Sequence, residues 1–294
     1  MSSKVYFAKT ITPEKVVEMY KILGVELPGK VGVKVHSGED GNQNYLRPEF
    51  LKPAVEAVKG TVIECNTAYG GARNRTEKHR ALMDKHEWTK YFDVDLLDAE
   101  GPDMVLPVKN GYHLKENLVG KDMANYDSVL VLIHFKGHPM GGFGGALKQL
   151  SIGFASTAGK CLIHSVGQTD DMKKVWGMTP ENNELFLESM ADAASTVTEY
   201  FKGKIAYVAM LCNLSVDCDC CAPAADPCMA DIGIMSSLDP VALDRACMDM
   251  VKNSSDPGRD TFLNRVNQLH GEHTISAAAK LGIGSEDYEL IEVE

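Results

Sequence analysis

The sequence predicts an α/β fold, a layered and mostly parallel sheet flanked by helices. It reads as a single domain over residues 1–294, with Gly167–Thr179 as the candidate break between two lobes. Three observations lead there. Short apolar runs alternate with amphipathic stretches along the chain. Several amphipathic stretches open on a hydroxyl or carboxylate followed by proline, the mark of a helix start. The apolar runs end in polar loops, as strands of an open parallel sheet do at their carboxyl ends.

Strands are expected at Lys4–Ala8, Lys30–Val35, Gly60–Cys65, Ser128–Ile133, Lys160–His164 and Lys204–Leu211, with weaker candidates at Val105–Val108 and Glu289–Val293. Helices are expected at Thr12–Leu23, Arg47–Val58, Arg75–His86, Gly145–Ser156, Glu181–Phe201, Asp239–Val251 and Arg259–His270. Thr12-Pro13-Glu14 and Thr179-Pro180-Glu181 put a hydroxyl at the cap and proline in the first turn. Asp239 caps its helix by the same logic. Between Asp93 and Tyr126, Gly101-Pro102 and Asn110-Gly111 mark turns, so a small antiparallel excursion is expected. Ile232–Met235 reads as re-entry into buried structure.

At 294 residues the chain can bury a large core. Its formal net charge of −11 argues against a nucleic-acid or anionic-membrane partner, which would need a basic face. No apolar run approaches bilayer length, and the first residues hold no apolar signal core. The expectation is a cytoplasmic protein with reduced thiols.

Five of the eight cysteines, Cys212, Cys218, Cys220, Cys221 and Cys228, fall in one short stretch. Crowded thiolates repel, and a soft metal or an iron–sulfur cluster is the usual neutraliser. Cys218, Cys220 and Cys221 are too tightly spaced for an ordinary four-thiolate zinc site, whose ligands come as separated pairs. They suit the separate irons of a cluster, with zinc held by some of the five as the alternative. Disulfides and metal-free redox thiols remain open readings. Cys65, Cys161 and Cys247 sit in apolar runs and read as small core residues.

Chemically rich residues follow the expected strands. His36 follows the second; Asn66 and Arg73 follow the third. His134, His138 and a turn containing Gly141, Gly142, Gly144 and Gly145, then Lys148, follow the fourth. His164 ends the fifth, and the cysteines follow the sixth. Parallel neighbours would bring all of them to one crevice. The glycine turn before a helix reads either as an anion or cofactor cradle or as a tight turn needing positive φ; its spacing matches no nucleotide motif. His79 and His86 read as a solvated helix face, and His270 and His273 as a helix-end cluster. Asp239 reads as a cap, while Asp244 is left between crevice and solvent.

The blocks VKVHSGEDGNQNYLRPEF, ECNTAYGGAR, HFKGHPMGGFGGALKQLSIGFASTAGK and DCDCCAPAADPCMADIGIMSSLDPVALDRA resemble, in order, domain-of-unknown-function family 362, uncharacterised iron–sulfur centre proteins. The resemblance implies an α/β fold and a bound iron–sulfur centre, with Cys218, Cys220 and Cys221 as the matching cysteines and Cys228 outside the pattern. Many relatives insert a ferredoxin module after the stretch around His164, which this chain lacks. The spacing of His138, Lys148 and His164 is also similar to that of nickel-pincer lactate racemases, where a histidine, a cofactor-holding lysine and a metal-binding histidine stand ten and then sixteen residues apart.

Two functions follow. The first is an iron–sulfur enzyme, with a 4Fe-4S cluster and one open iron, doing redox or lyase chemistry on a small anionic substrate. His138 or His164 would move a proton, and Lys148, Arg73 and the glycine-turn amides would bind the anion. The second is a non-catalytic carrier, sensor or electron relay serving a redox partner protein, which needs only the thiolates.

Overall fold

The computed structural model describes residues 2–294. The chain opens with β1 (Ser3–Ala8), α1 (Pro13–Lys21), β2 (Val31–Lys34), α2 (Pro48–Ala57), β3 (Thr61–Glu64), α3 (Thr76–Lys85) and α4 (Trp88–Tyr91). Next come β4 (Val94–Leu96), β5 (Met104–Pro107), β6 (Glu116–Val119), β7 (Ser128–His134), β8 (Lys136–His138) and β9 (Gly142–Gly144). Then follow α5 (Ala146–Leu150), α6 (Thr157–His164), α7 (Asn183–Tyr200), β10 (Ile205–Leu211), β11 (Gly233–Ser237), α8 (Pro240–Lys252), α9 (Arg259–Gln268), α10 (His273–Lys280) and β12 (Tyr288–Glu292).

Eight strands form the main sheet in the order β12-β1-β11-β10-β7-β2-β3-β4. From β10 to β4 every pairing is parallel, and β11 alone runs against its neighbours β1 and β10. The expected mostly parallel α/β sheet is therefore what forms. Its central strands are buried on both faces, so alternate residues feed two cores. Leu130, Leu132, Ala206, Val208 and Met210 pack under α1 and α2. Val129, Val131, Ile133, Ala209 and Leu211 pack under α5, α7, α8, α9 and α10. No helix of the described residues is long and apolar enough to cross a membrane.

Several starts and strands match their sequence signals. Thr12 accepts from the Lys15 amide, and Asp239 accepts from the Val241 and Ala242 amides. The expected excursion is the β5–β6 antiparallel pair. Others need correction. Lys160–His164 is not a strand but the end of α6, capped by Ser156 through the Gly159 amide. An apolar run of that length carries no period, and the cap decides it. The helix expected over Gly145–Ser156 stops at Leu150, where the Ser151 hydroxyl donates to the Leu147 carbonyl. Asn182, not Thr179, caps the long α7. The re-entry read at Ile232–Met235 is β11; β4 and α10 lacked a clear sequence signal, and His273, read as part of a helix-end cluster, begins α10.

Asp244 faces neither crevice nor solvent. It is fully buried, and its two oxygens accept from the Ala146 and Leu147 amides at 2.6 and 2.9 Å. This carboxylate of α8 therefore sits on the first turn of α5, against the helix dipole. Burial raises it to about 7 even though the two amides pull it down. Asp244→Asn would turn a donor toward these amides and leave one unsatisfied. The expected outcome is a loss of about 1–3 kcal/mol in urea unfolding, with the slope of the transition unchanged.

Candidate functional site

Strand order reverses between β2 and β7: β2, β3 and β4 step one way, and β7 and β10 lie on the other side. Such a switch point leaves a crevice at the carboxyl ends. The loops after β2, β3, β7 and β10, with α5 and α6, enclose a cavity of about 230 Å³ there. His36, Thr67, Tyr69, Arg73, His138, Lys148, Gln149, Lys160, His164, Cys220 and Cys221 line it. The chain carries −11 overall. Yet this wall sets Lys34, Arg73, Lys148 and Lys160 against one carboxylate, Glu64.

A buried acid anchors the cysteine loop to the sheet. Asp219 is 1% exposed. It lies 2.9 Å from His134 Nδ1, at the end of β7, and 3.0 Å from Lys136 Nζ, in β8. His134 Nε2 faces the Cys212 carbonyl at 2.8 Å, so both ring nitrogens lie against oxygen acceptors. Burial opposes the Asp219 carboxylate, but His134 and Lys136 hold it far below the usual range. The loop after β2 braces the same segment. Asn42 Nδ2 donates to the Cys221 carbonyl, Gln43 Nε2 to Ala224 and Asn44 Nδ2 to Ala225.

The loop so held turns thiols toward the cavity. Cys218 Sγ receives the Cys220 amide at 3.4 Å and Lys148 Nζ at 3.5 Å, with His36 Nε2 at 3.9 Å. Burial disfavours its thiolate. The Cys220 contact, the Lys148 ammonium and His138 outweigh that and hold it well below the ordinary thiol value. Its neighbour Cys220 is pushed well up, first by its contacts with Cys218 and Cys221. The donor atoms of His138, Cys218 and Cys220 lie within 4.8 Å of one another. Two ligands of one ion with bonds of about 2.0–2.3 Å stand at most about 4.6 Å apart, so donors this close need to draw in only slightly to share one ion. Thiolate donors also suit the softer metals. The residues present therefore fit a metal. One detail qualifies His138: its Nδ1 accepts the Met140 and Gly141 amides at 3.1 and 2.8 Å. The neutral ring then carries its proton on Nε2, toward the sulfurs; to ligate through Nε2 as a neutral imidazole it would have to shift that proton to Nδ1 and give up the two amide bonds.

His138, Lys148, His164, His36, Arg73, Cys220 and Cys221 all reach this cavity, with Cys218 beside them. Cys212 and Cys228 stand apart. Cys212 packs in the α1–α2 core, its thiol pushed up to about 12 by burial, and Cys228 Sγ donates to the Leu214 carbonyl. Asn66 does not line the cavity; its side chain bonds Thr76 and His79. The glycine turn is also corrected as an anion cradle. Gly142 has φ of +76°, and a Cβ on it would meet Gly271 Cα at 2.8 Å. A Cβ on Gly145 would lie 2.2 Å from Asp244 Oδ1. Gly142 and Gly145 are required by close packing, a Cβ on Gly141 or Gly144 would meet its neighbours only at 3.2 and 3.4 Å, and the helix start already holds the internal carboxylate. His79 is not a solvated residue: it is fully buried, lowered to about 3 by burial, between Ser37 and Asn66. His86 is half-buried and stacks on Tyr45 at 4.6 Å. Sequence reasoning missed Asp219, Lys34, Glu64 and Lys160. Charged residues inside an apolar strand or helix face (Lys34 in VGVK, Glu64 in TVIE) were the available signal.

Residues 31–249 match the model of the family described as domain of unknown function (DUF362). That is most of the chain, and the chain belongs to this family. No curated protein matches it. Among solved structures, the lactate racemase apoprotein from Thermoanaerobacterium thermosaccharolyticum is similar at 13% identity and a TM-score of 0.44, over 70% of this chain and 50% of that one. A protein from Thermotoga maritima is similar at 11% identity and a TM-score of 0.39, over 93% of this chain and 60% of that one. The chain thus spans half to three-fifths of the length of these two.

Removing the Asp219 charge tests the anchor. Asp219→Asn leaves Lys136 and His134 without their counter-charge, and a loss of about 3–5 kcal/mol in urea unfolding is expected. The sign with pH follows from the depressed acid. Its stabilisation is present above the unfolded carboxyl value of about 3.9 and is lost as pH falls below it. Unfolding of the wild type followed from pH 6 to pH 3 should therefore show a steeper loss than that of Asp219→Asn.

Proposed function

We propose that the chain is a metal-dependent enzyme acting on a small anionic substrate in this cavity. The carrying observation is that a thiol and imidazole donor set opens onto the same enclosed space as a surplus of buried cations. Cys218 and Cys220 would hold the metal, with His138 as third donor and Cys221 at the edge. Bound there, a metal supplies Lewis acidity toward a substrate oxygen.

The protein's own groups do the rest. His164 is the candidate for moving a proton. Its ring stacks on Phe186 at 4.8 Å and its Nδ1 has no partner. Burial, then the charges of His138, Lys160 and Lys148, lower it to about 3. It is neutral but weakly basic at pH 7, and an anionic substrate beside it would raise its basicity toward the range a proton carrier needs. Lys148 neutralises the Cys218 thiolate. Arg73 is braced by Glu39 at 3.3 Å and the Tyr69 hydroxyl at 2.8 Å, which fixes the direction in which its charge faces the substrate.

An iron–sulfur cluster on Cys218, Cys220 and Cys221, serving redox or lyase chemistry, is the second reading. Cys221 favours it by bringing a third thiol to the cavity. Anaerobic purification followed by zinc, iron and sulfide analysis separates the two. The donor span leads us to expect about one soft ion per chain without sulfide. Iron and sulfide in equal amounts would establish the cluster, and none of these elements would overturn both readings. Cys220→Ser should abolish metal retention, while Cys212→Ser and Cys228→Ser should keep it. His164→Gln should keep the metal and lower kcat about 100-fold. A turnover untouched by that change would remove His164 from the chemistry, whereas metal-loaded wild type without any turnover would favour a carrier or relay.

A further inference from the structure

One group of wall residues contains no thiol and is not used by the donor set. Lys160 is 6% exposed and forms no ion pair among the described residues. Its ammonium donates only to the Ala155 carbonyl, which leaves two of its three protons without an acceptor. Asp98 is the acid whose field reaches it, but that carboxylate already accepts the Asn66 and Thr157 amides at 2.8 and 3.2 Å. Beside Lys160 on the same cavity stand Thr67 and Gln149, 5% and 2% exposed. Thr67 Oγ1 and Gln149 Nε2 are both buried without a hydrogen-bond partner.

Buried polar atoms without partners are rare, because each loses its water and gains nothing in return. A buried, unpaired ammonium is rarer still. Here an ammonium, an amide N–H₂ and a hydroxyl share one small cavity, and every one of them can donate. A water could satisfy one of them but would not offset the charge. A negatively charged oxygen cluster entering the cavity would offer all three what they lack, acceptors and a counter-charge, through charge-assisted hydrogen bonds.

We infer that Lys160, Thr67 and Gln149 form an oxyanion subsite for the substrate, receiving a carboxylate or phosphate group. This deepens the proposed function and rests on it for the role of the ligand as substrate. The cavity, at about 230 Å³, is smaller than the pockets of roughly 300–1,000 Å³ that take drug-sized ligands. The substrate is therefore a small anion, with its charged end at Lys160 and its reacting end toward Cys218 and His164.

The test is calorimetric titration with inorganic phosphate and, separately, malonate, on the full chain both metal-loaded and chelated. Wild type should bind one or both; the preferred anion tells phosphate from carboxylate. Lys160→Met should weaken binding at least tenfold, while Lys174→Met, an exposed lysine, should not change it. Thr67→Val should weaken binding without lowering the thermal midpoint, since it deletes an unpartnered hydroxyl. Failure of the wild type to bind either anion, or binding that survives Lys160→Met, overturns the subsite. If Lys160→Met does not fold, Thr67→Val decides: a loss supports the subsite and an unchanged affinity overturns it. Binding in the chelated protein that depends on Lys160 upholds the subsite even where metal analysis defeats the metal reading. A metal-loaded protein that binds neither anion defeats the subsite alone.

Discussion

A carboxylate buried between an imidazole and an ammonium is expensive to desolvate and more expensive to leave unpaired. Asp219 is such a group, and its position decides what the cysteine loop can do. Its partner His134 ends β7, at the centre of the main sheet, and its partner Lys136 lies in β8, in the small antiparallel β8–β9 pair that follows. Because Asp219 lies between Cys218 and Cys220, satisfying the ion pair turns those two residues the other way, toward the cavity. The backbone is fixed at the same point, where the Asp219 carbonyl accepts the Glu39 amide at 2.8 Å. The thiols thus inherit their position from a charge that is not itself on the cavity wall.

The same economy runs through the neighbouring strands. Lys34 and Glu64 point from β2 and β3 and pair at 2.6 Å, each almost wholly buried. Glu64 also accepts the Ser37 amide and stands 3.7 Å from Arg73. Burial alone would neutralise both members, lifting the acid and lowering the base. Lys34 is lowered by burial, whereas Glu64, opposed by burial, is drawn well below its usual range by Lys34, His36 and Arg73. The carboxylate gains more from Lys34 and Arg73 together than the lysine gains from one acid. The site is biased toward positive charge at its foundation, before Lys148 and Lys160 are counted.

The layered sheet, most helix starts and the convergence at the strand ends were legible because they rest on local signals: apolar alternation, Thr and Asp caps, and polar loops after strands. His138, Lys148, His164 and the Cys218–Cys221 triplet could be named on composition and order alone. Other features depend on contacts distant in sequence. The Lys160–His164 run is a helix because Ser156 caps it, and so Lys160 and His164 share one helical face one turn apart. Asp244 lies about a hundred residues from the amides it holds. Cys212 and Cys218 look alike in sequence. Strand pleat sends one into the α1–α2 core, and the Asp219 pair turns the other toward the cavity.

The occupied helix start has a consequence for selectivity. Backbone amides at a helix terminus recognise an anion by shape, since their directions are fixed. In this protein Asp244 fills that position, so an anion entering the cavity meets side-chain donors instead. Arg73 is braced by Glu39, Tyr69 and Glu64, and presents a fixed planar charge. Lys148 is drawn to Cys218, and a metal taking that thiolate would loosen its hold. Lysine is a compact charge on a flexible stem and reads sign more than shape. A site built on one fixed guanidinium and two adaptable ammoniums selects first for negative charge and small size. Finer discrimination falls to the neutral wall, where Thr67, Gln149 and His164 each present an atom with no partner of its own.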